Sequence, residues 1–438
     1  MITRSSVTRS TATPAAGCWQ AEEIPWSFIA GSNAGATVTW TVDALDRSTT
    51  PPTVRRAASV EIGFSRRDVK GAIFYWSTTN KGIRRANIAD AVPEDYIVGG
   101  TSYEDGDQVK CVACHAVSRD GKYMAAPTDS TSGKSLWITE VSATPPPPPL
   151  VKDIADTSGH MFASISPDNQ FVAVTHKDGR LWLVDRVTGD YLEDVPVANR
   201  ATQPDWSPDG KHLVYATRAG DAPKDAAIAR ISFDGLGNWG SEEILVQRDP
   251  QQTDLWPMYA PDGEYIAFSR GSGGHGDKRA QLHLVSANGG EPIELVSANR
   301  AVSNRVTDGQ HQNSLPTWAP SGDLYWVAFN SMREYGVVLD GGRQQIWVAA
   351  IDPAKIGTGE DPSYPAFRLQ FQGLNENNHR AYWTLDVRVD APPPPPPPPM
   401  CVMRGDECAP GVTTCCDPSD ICGSVDSELY ACMVLIID

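Results

Sequence analysis

The sequence has no run of 20 apolar residues, so it predicts no membrane-spanning helix. Basic residues are scarce: 37 Lys and Arg against 54 Asp and Glu give a formal net charge of −17. Because phosphate contacts need clustered Lys and Arg, and no basic patch is present, nucleic-acid binding is disfavoured. Three catalytic motifs are also missing: G-x-S-x-G, the Walker sequence and H-E-x-x-H. The sequence therefore gives no support for a hydrolase-type peptidase, a P-loop nucleotidase or a zinc peptidase.

What the chain does contain is an internal repeat of about 50 residues. Each unit opens on a turn of the Ser-Pro-Asp-Gly type and continues as an apolar run, which predicts a tight turn and then a strand. The clearest units begin at Ser118, Ser166, Ser207, Ala260 and Ala319. Second strands are predicted around Trp137, Trp182, His283 and Trp347.

One four-stranded sheet per repeat is the unit of a β-propeller, and an isolated meander cannot bury both of its faces, so the sheets must pack in a ring. A weaker unit at residues 65–88 precedes the others, and residues 377–389 predict a lone strand with no repeat behind it. We expect that strand to complete the first blade. The predicted fold class is therefore all-β, a six-bladed propeller, with five or seven blades as alternatives.

The serial Ser-Pro-Asp-Gly turns resemble those of TolB-type bacterial propellers over roughly residues 58–390. This resemblance implies a relative of the WD-repeat fold and no particular activity. TolB itself is a periplasmic interaction protein whose additional α/β domain has no recognisable counterpart in this sequence. Some secreted bacterial propellers of unknown function also carry a C-x-x-C-H motif ahead of the first clear turn, as this chain does.

The motif CVACH at residues 111–115 has the C-x-x-C-H spacing that attaches a c-type haem. Cys111 and Cys114 would form the thioethers and His115 would ligate the iron, so the predicted cofactor is haem c. In a typical cytochrome c the motif lies on a helix, whereas here it runs directly into a predicted strand. A small disulfide between the two cysteines, or a turn without redox chemistry, are the alternatives.

Three further histidines, His160, His311 and His379, precede predicted strands as His115 does, which places all four on one face of the propeller. A sixth haem ligand is expected from His311 or His160. Some TolB-like propellers resemble oligogalacturonate lyases, and that likeness implies Mn or Zn held by these three histidines and Gln312. A lone histidine near a turn is more often a surface or hydrogen-bonded residue. Positions equivalent to His115 are Ala163, Pro204, Pro257 and Pro316, and the same rim includes Met161 and Met258. No role is predicted for His176, His212, His275 or His283, and the GSGGHG sequence around His275 is interpreted as a hairpin loop.

Six cysteines crowd into the last part of the chain: Cys401, Cys408, Cys415, Cys416, Cys422 and Cys432. The segment has no histidine, and neighbours in a Cys-Cys pair cannot easily ligate one metal, so disulfides are favoured over zinc. Spacing alone leaves fifteen pairings open. The adjacent pair resembles that of inhibitor-cystine-knot miniproteins, which implies Cys401–Cys416, Cys408–Cys422 and Cys415–Cys432.

These features predict five segments along the chain. They are a disordered leader (residues 1–18), a short β segment (19–55), a propeller containing CVACH (56–390), a polyproline linker (391–400) and a cystine-knot-like module (401–438). The short β segment includes two predicted strands, SFIAG and ATVTWTVDAL. The cysteine cluster suits an oxidising compartment, so we expect a periplasmic, cell-surface or secreted protein. The first fourteen residues lack the apolar core of a secretory signal. Residues 15–18 resemble a lipoprotein cleavage box, so Cys18 carries either a lipid anchor or a free thiol.

Three functional hypotheses follow from the sequence. The leading one is an exported propeller with one c-type haem at CVACH, acting in electron transfer or redox-linked binding with an unidentified redox or protein partner. The second is a scaffold without haem or catalysis that binds a protein or a glycan. The third is a metal-dependent, lyase-like enzyme, and the sequence favours the two non-enzymatic hypotheses over it.

Overall fold

The computed structural model describes residues 23–66, 69, 71–88, 90–142, 144–152, 162–218, 225–300, 310–320, 324–335, 342–384, 407–408, 415, 420–424 and 430–434. The chain divides into two compact units, Met1–Asp386 and Val387–Asp438. The described part of the first unit contains six antiparallel sheets of four or five strands. This arrangement confirms the six-bladed propeller.

The blades follow one another along the chain, each with its innermost strand first except for blade 1. Blade 1 contains β5 (Ala72–Ser77), β6 (Gly82–Asn87) and β7 (Glu94–Ile97). Blade 2 contains β8 (Val109–Val112), β9 (Ala116–Val117), β10 (Tyr123–Ser130), β11 (Gly133–Glu140) and β12 (Pro149–Val151). Blade 3 contains β13 (Ala163–Ile165), β14 (Phe171–Thr175), β15 (Leu181–Asp185) and β16 (Tyr191–Asp194).

Blades 4 to 6 repeat the same order, and a last strand returns to blade 1. Blade 4 contains β17 (Arg200–Trp206), β18 (His212–Arg218), β19 (Ala227–Ser232) and β20 (Glu243–Val246). Blade 5 contains β21 (Thr253–Tyr259), β22 (Tyr265–Gly271), β23 (Gln281–Ser286) and β24 (Ile293–Glu294), and the short helix α2 (Val296–Asn299) follows it. Blade 6 contains β25 (Ser314–Trp318), β26 (Tyr325–Ser331), β27 (Gln345–Ile351) and β28 (Phe367–Arg368), with a 3₁₀ turn at Pro353–Lys355. The returning strand is β29 (Asn378–Thr384).

Strand β29 closes the ring, as the sequence predicts. It pairs antiparallel with β5 as the innermost strand of blade 1, so that Tyr382 lies opposite Phe74 and Thr384 opposite Ala72. The first and last strands of the propeller therefore belong to one sheet, and opening the ring would break that sheet.

Apolar side chains between neighbouring blades form the core. One cluster joins Trp206 and Leu213 of blade 4 to Leu183 of blade 3, and another joins Phe329 of blade 6 to Leu284 of blade 5. Because the middle strands are buried on both faces, they read as continuous apolar runs. The strand β27 illustrates this, since all seven of its residues are buried.

The Ser-Pro-Asp-Gly turns are held by their own side chains. In blade 3, the Ser166 hydroxyl donates to the Asp168 carboxylate at 2.6 Å, and the same carboxylate accepts the Gln170 amide at 3.0 Å. Asp209 accepts both equivalent bonds in blade 4, and Asp262 accepts the amide bond from Glu264 in blade 5. These aspartates therefore cap their own turns.

The N-terminal segment differs from expectation. SFIAG is helical, within α1 (Glu23–Ser32), and ATVTWTVDAL is split into β1 (Thr37–Trp40) and β2 (Asp43–Asp46). These strands pair with β4 (Val60–Gly63) and β3 (Thr53–Arg56). The strand predicted for SFIAG was wrong because five apolar-rich residues do not distinguish a strand from one and a half helical turns. No described helix is long and apolar enough to cross a bilayer.

The described part of the second unit contains one hairpin, β30 (Asp420–Ser424) with β31 (Tyr430–Val434). The disulfides Cys408–Cys422 and Cys415–Cys432 join the two strands of this hairpin to cysteines that precede it in the chain. They are two of the three pairs that the miniprotein resemblance implies. Cys401 and Cys416 lie outside the described residues, as do Cys18 and His160. The full knot stays a prediction.

Candidate functional site

A recurrent bulge interrupts the innermost strands. Gln203, Trp256, Leu315 and Arg380 all have positive φ, between 42° and 62°, and a shift of register accompanies each. Such a conformation is uncommon for any residue other than glycine and is rare for bulky residues. A β-bulge of this kind redirects one side chain, and here it turns one side chain in each of these four blades toward the propeller axis.

The motif CVACH occupies the same position in blade 2. Cys114 has a φ of 42° and lies in the gap between β8 and β9. His115 directly follows it, as Pro204, Pro257 and Pro316 follow the bulge residues of their own blades. In blade 3 the equivalent residue is Phe162. We call the six equivalent residues the channel plug: Cys114, Phe162, Gln203, Trp256, Leu315 and Arg380.

The plug residues meet on the axis. The rings of Phe162 and Trp256 pack edge to face with centroids 4.9 Å apart, and Cys114 and Leu315 pack against the same apolar cluster. The Arg380 guanidinium lies 5.6 Å and 5.4 Å from the centroids of the two aromatic rings, within range of a cation–π interaction. Phe162, Trp256 and Arg380 belong to blades 3, 5 and 1, and side chains of blades that are not neighbours can touch in this way only at the centre of the ring.

The residue His275, which received no role from the sequence, covers the plug. Its ring centroid lies 5.1 Å from that of Trp256, and its Nε2 lies 2.9 Å from Nε2 of Gln203. The GSGGHG segment is a hairpin loop between β22 and β23, as predicted. No sequence pattern indicates that this loop reaches the axis. Together, the loop and the plug close the channel at the end where the innermost strands begin.

The environment of His115 is closed as well. The side chain is 0% exposed, its Nε2 lies 3.3 Å from the carbonyl oxygen of Phe74, and its ring centroid lies 5.3 Å from that of Tyr382. Its Nδ1 is buried and has no hydrogen-bond partner among the described residues. Burial, reinforced by the charge of Arg380, lowers the pKa of His115 to about 3. His115 is therefore a neutral core imidazole at physiological pH.

In this conformation the motif residues do not fit a haem. The Cys114 side chain packs inside the plug, and the cavity beside the plug measures about 20 Å³, enough for a single water molecule. Cys111 and Cys114 carry free thiols, and burial raises the pKa of both, so the thiols are protonated at neutral pH. A porphyrin bonded to both sulfurs would require a different arrangement of residues 111–115.

The remaining predicted ligands are not assembled into a site. His311 is buried, and His379 lies 2.9 Å from the Asn377 amide and stacks near Trp76. Gln312 belongs to the backbone turn before β25 and has a φ of 49°. Among the described residues, no three His, Cys, Asp or Glu side chains are placed to hold a metal ion together. A manganese or zinc site at these positions therefore stays a prediction that also depends on His160.

A buried carboxylate connects four blades beneath the plug. Asp205 of blade 4 is 8% exposed and accepts bonds from Arg119 of blade 2 (2.9 Å), Ser164 of blade 3 (3.2 Å) and the Tyr259 amide of blade 5 (2.9 Å). Burial raises the pKa of this carboxyl, and the positive charge of Arg119 opposes that shift. No sequence motif marks Asp205, because its partners come from repeats far apart in the chain.

The opposite end of the channel is open. A funnel of about 370 Å³ lies where the innermost strands end and the Ser-Pro-Asp-Gly turns begin. Four turn prolines, three aromatic side chains and the polar Ser118-Arg119-Asp120 turn line it. The prolines are Pro167, Pro208, Pro261 and Pro320, the aromatic residues are Trp318, Tyr382 and Trp383, and Val117, Met258 and Ala319 complete the lining. This volume is at the lower end of the range typical of small-ligand pockets.

Comparison with curated proteins finds sequence similarity over part of the chain. No protein-family profile matches the chain. The uncharacterized peptidase YuxL of Bacillus subtilis (strain 168) is 28% identical over 135 residues, which are 31% of this chain and 18% of that protein. The chain thus matches less than a fifth of the length of this curated relative.

Among solved structures, the chain is similar to propeller proteins at low identity. TolB from Acinetobacter baumannii shares 15% identity over 72% of this chain and 67% of that chain, with a TM-score of 0.47. A TolB from Agrobacterium tumefaciens shares 18% identity over 72% of this chain and 99% of that chain, with a TM-score of 0.43. An oligogalacturonate lyase in complex with manganese shares 15% identity over 68% of this chain and 75% of that chain, with a TM-score of 0.37. The chain's own six sheets establish its β-propeller fold.

Proposed function

We propose that this protein is an extracytoplasmic binding propeller without catalytic chemistry, and that its axial funnel holds an apolar part of a polypeptide partner. The observation that carries the proposal is the funnel of about 370 Å³, open at one end of an axis that the plug closes at the other. Its walls come from turns of different blades that are fixed by their own hydrogen bonds. A site built on such turns is preorganised, which reduces the entropy lost on binding.

The chemistry of the lining favours a polypeptide over a glycan. The four turn prolines, Met258 and Ala319 present apolar surface, whereas Ser118 and Asp120 already bond to one another at 2.7 Å. The aromatic side chains are almost fully buried, so their ring faces are not free to stack on a sugar. A sugar would leave many hydroxyl groups unpaired in such a pocket, while an apolar side chain would not.

The two disulfides support the proposed location. Cys408–Cys422 and Cys415–Cys432 hold a small hairpin that has little apolar core of its own. Disulfides of this structural kind persist in oxidising compartments and are rare in the cytosol. The proposal therefore places the chain in the periplasm, on the cell surface or outside the cell.

Calorimetric titration of the full chain tests the proposed function. We expect N-acetylated tripeptides with Leu and Phe to bind with a Kd below about 1 mM, and tripeptides of Ser and Asn to give no measurable heat. Pro208→Trp should abolish binding because it fills the funnel, and Val187→Trp, on an exposed outer turn, should leave it unchanged. Equal binding by both variants, or binding of maltotriose in place of peptides, would refute the proposal.

Haem attachment at CVACH stays as a second proposal, supported by the spacing of Cys111, Cys114 and His115 alone. It requires a different arrangement of residues 111–115 from the one described above. Expression with a cytochrome-maturation system separates the two proposals. Covalent haem absorbance would support electron transfer, whereas a colourless protein with two titratable thiols in this segment would end the haem proposal.

A further inference from the structure

One turn of the funnel departs from the others in a single residue. In blades 3 to 6 the second position of the turn is a proline, and those four prolines line the funnel. Blade 2 has Arg119 at this position. The substitution places a permanent positive charge among rings that are otherwise apolar, in a chain whose net charge is −17.

The guanidinium of Arg119 lies at the floor of the funnel. Its Nη2 donates to the Asp205 carboxylate at 2.9 Å and to the carbonyl of Trp206 at 2.6 Å, and both acceptors belong to blade 4. Since blade 3 stands between the backbone of Arg119 and these acceptors, the side chain crosses toward the axis. Its side chain is 22% exposed, and Nη1 makes no hydrogen bond among the described residues. Arg119 therefore keeps N–H groups that can donate hydrogen bonds to a ligand.

The charges around Arg119 tolerate an additional anion. Asp205 is paired with Arg119 itself, and Asp120 is held by the Asn169 amide at 2.8 Å and by the Lys122 ammonium at 3.2 Å. Each of the two carboxylates near the funnel therefore has its own cation. Arg119 lines the open funnel, and both of its described side-chain bonds are made by Nη2.

A closed channel restricts what can enter. The plug and the loop of His275 block the far end, so an extended polypeptide cannot thread through the ring. An apolar segment that enters the funnel in an extended form must end there. Arg119 at the floor offers N–H donors and no acceptor, so the end that fits is the carboxylate, which accepts hydrogen bonds, and not a free amino terminus, which carries three donors of its own.

We propose, on the basis of the function given above, that the funnel recognises the free C-terminus of a polypeptide. The terminal carboxylate accepts hydrogen bonds from Arg119, and the last apolar side chain packs among Pro167, Pro208, Pro261 and Pro320. Charge-assisted bonds of this kind are stronger than neutral ones.

Titration of the full chain with a matched peptide pair tests this inference. The probes are N-acetyl-Gly-Leu-Phe as the free acid and as the C-terminal amide, at low ionic strength. We expect the acid to bind about tenfold more tightly than the amide, which corresponds to one charge-assisted hydrogen bond. Arg119→Gln should remove the difference between acid and amide. Arg47→Gln, at an exposed arginine of the β2–β3 hairpin, should preserve it.

The outcomes separate this inference from the function on which it rests. Binding of neither peptide would refute the binding funnel itself. Equal binding of acid and amide by the unaltered chain would overturn the C-terminal inference and leave the binding funnel standing, and this comparison needs no variant to fold. Octanoate binding as tightly as the peptide acid would overturn a polypeptide as the source of the carboxylate.

Discussion

Replacing Asp205 by alanine should destabilise the propeller more than any single surface substitution, because this carboxylate connects four blades. The change removes the acceptor for Arg119, for the Ser164 hydroxyl and for the Tyr259 amide. All of these groups lie in the interior around the axis, where water replaces a lost acceptor only in part. The cost therefore includes their desolvation as well as the lost contacts.

The loss of unfolding free energy expected for Asp205→Ala follows from the burial of the Asp205–Arg119 ion pair. Removing one partner of a buried ion pair costs about 3–5 kcal/mol, and the 22% exposure of the Arg119 side chain places this case near about 3 kcal/mol, since the guanidinium can recover some hydration. Asp205→Asn should cost less, because the amide oxygen can still accept one bond. The double variant with Arg119→Ala should cost less than the sum of the two single changes, since the charges are removed together.

Urea unfolding monitored by tryptophan fluorescence measures these values. We expect the midpoint for Asp205→Ala to fall with little change in the slope, as for a loss of stability without a change in the surface exposed on unfolding. A loss below about 1 kcal/mol, the value typical of an exposed ion pair, would refute the buried bridge between blades.

Three other predictions concern the plug, the histidines and the second unit. Trp256→Ala should cost about 3–5 kcal/mol by urea unfolding, because it removes the largest side chain of the plug, and an unchanged midpoint would contradict a packed axis. Burial holds the pKa of His115 at about 3 and that of His379 at about 4, below the usual 6.5, so the unfolded chain binds protons first as the pH falls. Stability should therefore be full above pH 6.5 and should decline below it by up to about 1.4 kcal/mol per pH unit for each histidine, and a flat profile from pH 6.5 to 4.5 would contradict their burial. Removing the Cys408–Cys422 disulfide by paired serine substitutions should cost the second unit about 3 kcal/mol, seen as faster proteolysis of residues 401–438 with the propeller intact.

The blade count was predictable from the sequence because each blade repeats a local signal. The turn at Ser166, with Asp168 accepting the hydroxyl and an amide, is encoded within a few residues. The closing strand was predictable for a related reason: residues 377–389 have the strand pattern without a following repeat, and an open ring would leave an unpaired edge. Local chemistry and the need to bury both faces of each sheet were sufficient.

The plug was not predictable in the same way. The sequence places Cys114 and His115 at the entrance of an inner strand, and the structure agrees, but the direction of Cys114 depends on a bulge that leaves no composition signal. The role of His275 depends on where a glycine-rich loop folds in space. The Asp205 bridge joins residues from four repeats, and single-sequence patterns do not report such long-range contacts.

The motif CVACH shows how one spacing is compatible with two kinds of chemistry. C-x-x-C-H suffices to suggest a haem, yet the same five residues complete an apolar plug when the first two continue a strand and the fourth adopts a positive φ. The two kinds of chemistry differ in whether a porphyrin has room beside His115, and the described side chains fill that space. A small apolar cysteine is a suitable plug residue for this reason, since it packs without an obligatory hydrogen bond.

Photo-cross-linking locates the bound ligand most directly. A peptide N-acetyl-Gly-Leu with a C-terminal p-benzoyl-phenylalanine acid would be bound to the full chain, irradiated, and the adduct mapped by mass spectrometry. The account predicts adducts on Met258 and on the turn prolines of the funnel, lost in Pro208→Trp. Adducts confined to the His275 loop or to the exposed Phe28 of helix α1 would contradict it.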